Sequence, residues 1–216
     1  MIAFSGIDCS GKSTQIEKIY KYLTGKKIRC KVIHSRVGYT PLLEAFKRLI
    51  RRDKNMTREQ QDEYRQAIHS NSKKRKLLLW LSIFDMALYY GIHFRFVELF
   101  GKTILADRYF EDSYIDLTLK YGNTGFEKWK VWKFCKKIYL KPKKSIIYVI
   151  PAELSMYRST LKDEPWPEPV EMREVRIAKY NERIELGVWD AVINAEKTID
   201  EVFEETVRYI EGTAAK

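Results

Sequence analysis

The chain has 216 residues, 45% of them hydrophobic, enough for one well-buried core with room for a small lid. Its 40 Lys and Arg exceed its 29 Asp and Glu, and the resulting +11 suits anionic partners, whether nucleotides, nucleic acid or acidic membrane. Cys9, Cys30 and Cys135 are odd in number and widely spaced with no Cys-x-x-Cys pair, so neither a disulfide framework nor a zinc site is expected.

The first strand is expected over Ile2 to Phe4 and the first helix over Lys12 to Leu23. Between them Gly6, Gly11, Lys12 and Ser13 complete Gly-x-x-x-x-Gly-Lys-Ser, the phosphate-binding loop pattern, in the strand–loop–helix setting it requires. Glycines let the backbone curl so that successive N–H groups converge on phosphate oxygens. The following helix adds its unpaired N–H groups and its dipole. Lys12 can reach the β- and γ-phosphates, and the Ser13 hydroxyl can ligate Mg²⁺. The motif begins almost at Met1, so no cleavable signal is expected, and a cytoplasmic setting is.

Cys30 to His34 reads as a second strand, and Thr40-Pro41 as the start of a helix. Arg51 to Lys76 is polar and charged. In Leu77 to Phe100, apolar residues recur every three or four positions (Leu77, Leu81, Phe84, Leu88, Ile92, Phe96, Leu99), which predicts a core helix. That helix could also serve as an interface. A third strand, Thr103 to Ala106, delivers Asp107 and Arg108 to its carboxyl end. In a parallel sheet that edge binds ligands, so Asp107 can hold Mg²⁺ and Arg108 can fork onto phosphate.

Glu111 to Lys120 and Phe126 to Tyr139 read as helices, Ser145 to Ile150 as a strand, and Ala152 to Leu161 as a helix. Three prolines within Lys162 to Pro169 predict an exposed loop. Helix Val170 to Leu186, strand Trp189 to Asn194 and helix Ile199 to Ile210 close the chain. Alternating strands and helices predict an α/β fold with a parallel sheet covered on both faces. No uncharged stretch approaches the roughly 18 residues of a membrane span, so no membrane partner is expected.

These stretches together resemble the thymidylate kinase family of P-loop nucleoside monophosphate kinases. Phe4 to Thr14 is similar to its first loop, Ser35-Arg36-Val-Gly-Tyr-Thr-Pro-Leu42 to a shortened form of its Arg-Glu-Pro-Gly-Gly-Thr-Pro segment, and Asp107-Arg108-Tyr109 to its Asp-Arg-Tyr signature. Val192 to Ala195, followed by Ile199 to Val202, is similar to its last strand and helix, near the donor adenine.

The resemblance implies a single P-loop domain over 1–216. It would be a three-layer α/β/α fold with a five-stranded parallel sheet, an acceptor region near 35–100 and a small lid near 158–176. It implies ATP and Mg²⁺ as cofactors, dTMP as acceptor, small-molecule nucleotides rather than nucleic acid as partners, and a homodimer. The donor would be held by Gly6, Cys9, Ser10, Gly11, Lys12, Ser13, Thr14 and Ala195. Asp8 would contact the acceptor sugar and Arg36 its phosphate. Ser13 and Asp107 would serve the metal, and Arg108 would lie between the two phosphates. Arg158, Lys162, Arg173 and Arg176 are the lid candidates, with ordinary surface charge the equal alternative for each.

The sequence departs from the family at the base. The thymine-reading arginine is replaced near Asp85 and Met86, a Tyr-Gln pair by Asp116-Leu117, and a small loop residue by Cys9. Another nucleoside monophosphate or a nucleoside is therefore the alternative acceptor. A basic nucleic-acid-binding protein is a more distant reading.

Overall fold

The computed structural model of the protein describes residues 1–35, 72–122, 124–162 and 167–212. Arg36, the Thr40-Pro41 helix start, nearly all of the polar segment before Lys76, and residues 163–166 of the proline loop lie outside them.

The elements in chain order are β1 (Ile2–Gly6), α1 (Lys12–Gly25), β2 (Cys30–His34), α2 (Ser72–Leu88), a π-helical turn (Tyr89–His93), α3 (Phe94–Leu99), β3 (Thr103–Asp107) and α4 (Phe110–Tyr121). A 3₁₀ turn (Phe126–Lys128) follows, then α5 (Lys130–Ile138), β4 (Lys144–Val149), α6 (Ala152–Leu161), α7 (Val170–Glu185), β5 (Ala191–Asn194) and α8 (Ile199–Glu211). The five strands form one all-parallel sheet in the order β2-β3-β1-β4-β5, in a three-layer α/β/α fold. The chain divides into two compact units: Met1–Ser35 with Val97–Ile115 and Lys141–Lys216, and Arg36–Phe96 with Asp116–Leu140.

The first unit holds the sheet. Its centre, β1, is buried along its whole length, as a strand covered on both faces must be. Alternation assigns the faces. Phe4 stacks on Tyr148, whose hydroxyl meets Thr206 of α8 at 3.0 Å. The intervening Ser5 turns the other way and donates to Asp112 of α4 at 2.6 Å. Connections leave β1 first toward β2 and β3, then toward β4 and β5. The carboxyl ends of β1 and β3 therefore open a crevice at the topological switch point. α8 begins with a full capping box, Thr198 and Glu201 satisfying each other's backbone N–H.

In the second unit, α2 packs on α5, and Gly91 lets the π turn approach closely. A Cβ there would lie 2.8 Å from the Ile138 side chain and 3.2 Å from its carbonyl. Leu140 N donates to Tyr90 O at 3.0 Å, and Phe126 meets Trp132 edge-on.

The helical run Ser72–Leu99 corrects one expectation. The stripe chosen as core faces out: Leu77, Phe84, Ile92, Phe96 and Leu99 are exposed, whereas Leu79, Ile83, Met86, Ala87, Tyr90, Phe94 and Val97 are buried. The segment is apolar around most of its circumference, so a three-to-four-residue period fits either side. The π turn also inserts extra rotation, which ends a fixed phase. This run is long and apolar enough to cross a membrane, but half of the qualifying window is buried in the fold.

Candidate functional site

The loop after β1 is shaped by backbone constraints. Gly6 has φ 138°, and a Cβ there would stand 2.5 Å from the Tyr148 carbonyl oxygen and 2.9 Å from Ser10 Oγ. No side chain fits. Gly11, at φ 89°, caps α1 without a side chain in the way.

Lys12, the first residue of α1, folds back across the loop. Its Nζ donates to Gly6 O at 2.9 Å, Ile7 O at 2.6 Å and Ser10 Oγ at 3.4 Å. Burial, then the adjacent Arg108 charge, bring its pKa down from 10.5 to about 8, while Asp107, Asp8 and Asp112 pull the other way. Carbonyls and carboxylates thus hold a cation that burial disfavours, and phosphate oxygens are better partners for it.

Asp107 ends β3, with its Cα opposite Phe4 in β1. Its Oδ2 meets His34 Nδ1 at 2.8 Å, and its backbone carbonyl accepts from Ser35 N at 3.0 Å. Oδ1 is buried with no hydrogen-bond partner. A buried carboxylate oxygen left this way is costly unless a cation completes it.

Arg108 follows at φ 66°, in the left-handed region, and its N–H donates to Phe4 O at 2.9 Å. That turn sends the guanidinium toward the loop, where Nη2 pairs with Asp8 and Nη1 lies 3.9 Å from Asp112 Oδ1. Asp112 is the hub below: it accepts from Ser5 Oγ at 2.6 Å, Tyr109 N at 2.9 Å and Tyr180 OH at 2.5 Å.

A cavity of about 530 Å³ runs along these groups. Residues 8–14 of the loop, Asp107, Arg108, Arg158, Lys162, Ala195 and Ile199 are among the residues that line it. Arg158 Nη2 donates to the Ala195 carbonyl at 3.0 Å, which links α6 to the turn after β5. The structure thus brings together Asp8, Cys9, Ser10, Gly11, Lys12, Ser13, Thr14, Asp107, Arg108, Arg158 and Ala195; Gly6 supports the loop from beneath.

Arg173 and Arg176 are not on the cavity wall. Arg173 is 1% exposed and donates to the Ser155 and Ser159 hydroxyls and, at 2.8 Å, to Glu168 O. Arg176 forks onto the Glu168 carboxylate at 3.1 and 3.2 Å. Arg36 lies outside the described residues.

Three residues whose hydrogen bonds tie the loop and its neighbours together escape a sequence reading. Asp112 signals itself only as an acid in the first turn of α4, capping Tyr109 N–H. Ser155 is an unremarked serine in α6. Gln15 is buried on the cavity wall, its Nε2 donating to Ile199 O at 2.8 Å.

The donor set fits Mg²⁺: Ser13, an exposed residue, and Asp107 both line the cavity, and hard cations take oxygen ligands such as a hydroxyl and a carboxylate. Among the described residues no cluster of three His, Cys, Asp or Glu forms a protein-only metal cage. Such a cage is unnecessary where nucleotide phosphates supply the remaining oxygens. No protein-family model matches the chain.

Proposed function

We propose that the protein is a nucleoside monophosphate kinase that transfers the γ-phosphoryl group of Mg·ATP to dTMP, giving dTDP and ADP. The observation that carries this reading is the buried Asp107 oxygen without a partner, directly across the sheet edge from a glycine-shaped loop holding a buried lysine. A phosphate loop alone fits many nucleotide-binding proteins. An acid and an arginine placed beside it, with Arg108 turned toward Asp8, fit one that joins two phosphates.

In this reading an oxygen of the acceptor phosphate attacks the γ-phosphorus, the bond to the β,γ-bridging oxygen breaks, and ADP leaves. Lys12 exchanges its carbonyl partners for β- and γ-phosphate oxygens, and the N–H groups of the loop and of the start of α1 hold the rest of the chain of phosphates. Ser13 and Asp107 would hold Mg²⁺, which would supply positive charge against the transferring phosphates. Arg108 keeps donor and acceptor phosphates aligned against their mutual repulsion, Asp8 bonds the acceptor sugar, and Arg36 holds the acceptor phosphate. Arg158 and Ala195 flank the donor base. Arg173 and Arg176 act through the architecture around the loop. The working form is a cytosolic homodimer, which sedimentation tests.

A different acceptor base is the second reading, favoured by α2 itself. Where the resemblance implies an arginine for thymine, Asp85 and Met86 are both buried. A coupled assay of ADP release over a panel of nucleoside monophosphates separates the two. Turnover confined to dTMP supports the first; good turnover of another monophosphate with none of dTMP replaces it.

A further inference from the structure

The largest fully buried side chain in the described residues is a charged one, Arg173. It makes no ion pair with the loop or the cavity, so its place needs a reason. Its Nε and one Nη2 donate to Glu168 O (2.8 Å) and Ser159 Oγ (3.2 Å), and Nη1 donates to Ser155 Oγ. Ser155, 0% exposed, in turn donates to the backbone carbonyl of Asp8 at 2.7 Å.

A hydroxyl has one proton to give. Because the guanidinium, which has no acceptor, occupies a lone pair of Ser155 Oγ, that proton is committed to Asp8 O. The peptide between Asp8 and Cys9 is planar and trans, so its carbonyl and its N–H point in opposite directions. Fastening the carbonyl toward Ser155 of α6 therefore turns the Cys9 N–H away from that serine. Cys9 itself sits at φ 59°, a strained setting for a residue with a Cβ, which persists only where neighbours enforce it.

We infer that Ser155 is a positioning residue of the phosphate loop, and that Arg173 sets the direction of its hydroxyl. Together they form a buried relay from the start of α7 to the anion-binding face of the Asp8–Cys9 peptide. The inference rests on the phosphate-loop reading and assigns Arg173 an indirect role in place of contact with the transferred group. Because Arg173 is also held by the Glu168 carbonyl, the relay couples the end of the proline loop to the loop that grips phosphate.

The test uses the full-length protein and Ser155→Ala, Ser155→Thr and Arg173→Met, with ADP as the binding probe in calorimetry. Ser155→Ala should weaken ADP binding about 10-fold, as expected for loss of one outer support of an ion-binding group. It should also speed amide hydrogen exchange in peptides covering residues 7–11. Ser155→Thr, which keeps the hydroxyl, should restore both, and Arg173→Met should resemble Ser155→Ala. A role confined to packing would lower Tm while leaving the folded protein's ADP affinity and loop exchange as in the parent; that outcome overturns the relay. If the parent protein binds no ADP, the proposed function fails, and exchange over residues 7–11 still decides the relay by itself.

Discussion

Replacing Lys12 with Met should abolish nucleotide binding without destabilising the protein. Ordinarily, losing a buried residue with three hydrogen bonds is costly. Here the lysine is held in a setting that brings its pKa from 10.5 to about 8, a bias of about 3 kcal/mol against the charged form. Methionine has similar length and no charge to desolvate, so that cost disappears. Against it stands the loss of a donor to Gly6 O and Ile7 O, worth about 1–3 kcal/mol. The balance lies between no change and a modest gain, so Tm at pH 7 should hold or rise by a few degrees, at about 2–4 °C per kcal/mol for a chain of this size.

The pH dependence has a definite sign. Between pH about 8 and 10.5 the unfolded chain keeps the Lys12 proton that the folded chain has released, so the parent gains stability as pH rises through that window. The variant lacks this gain, and any advantage it has at pH 7 should shrink by pH 10. Differential scanning calorimetry at the two pH values, with ATP titrations alongside, makes the measurement. A Lys12→Met protein that melts more than about 5 °C lower at pH 7 would refute the view that a destabilised cation is held ready for phosphate.

The same lysine predicts that kcat/KM for ATP falls above pH about 8, whereas kcat at saturating ATP holds to higher pH because bound phosphate stabilises the ammonium; a flat kcat/KM profile to pH 10 contradicts this. Gly6→Ala should cost about 1–3 kcal/mol in denaturant unfolding and weaken ATP binding, since φ 138° and the Tyr148 carbonyl both oppose a Cβ; parent-like stability and affinity would count against the loop geometry. Asp107→Asn should lower turnover about 100-fold or more and raise the Mg²⁺ concentration needed for half-maximal rate, with little change in Tm. An unchanged magnesium dependence would remove Asp107 from the metal site.

Much of the fold was legible because its signals are local. β2 and α6 fall where the pattern put them, β3 differs only by including Asp107, and the five-stranded parallel sheet follows from strand–helix alternation. The positions of the loop residues and of the Asp107–Arg108 step were legible because each follows directly on a short apolar strand. The long helix was harder: its apolar residues mark a helix and leave its inner face open, because two sides of the cylinder are apolar and the π turn changes the phase. The contacts of Arg173 and Ser155 were not legible at all. A sequence shows an arginine near a lid, but only packing shows that its guanidinium is buried and spent on two serines and a carbonyl. Asp112 was hidden for the same reason, its partners Ser5 and Tyr180 lying 107 and 68 residues away.

The central claim is that one cavity holds a donor phosphate chain and an acceptor phosphate together. Its most direct test follows the label from γ-³²P-ATP into nucleoside diphosphate across a panel of monophosphates, with the parent protein and Arg108→Ala. The account predicts labelled diphosphate from one pyrimidine deoxynucleoside monophosphate, and a loss of about 100-fold or more in the variant. No labelled diphosphate from any acceptor, or equal labelling by the Arg108→Ala protein, would contradict it.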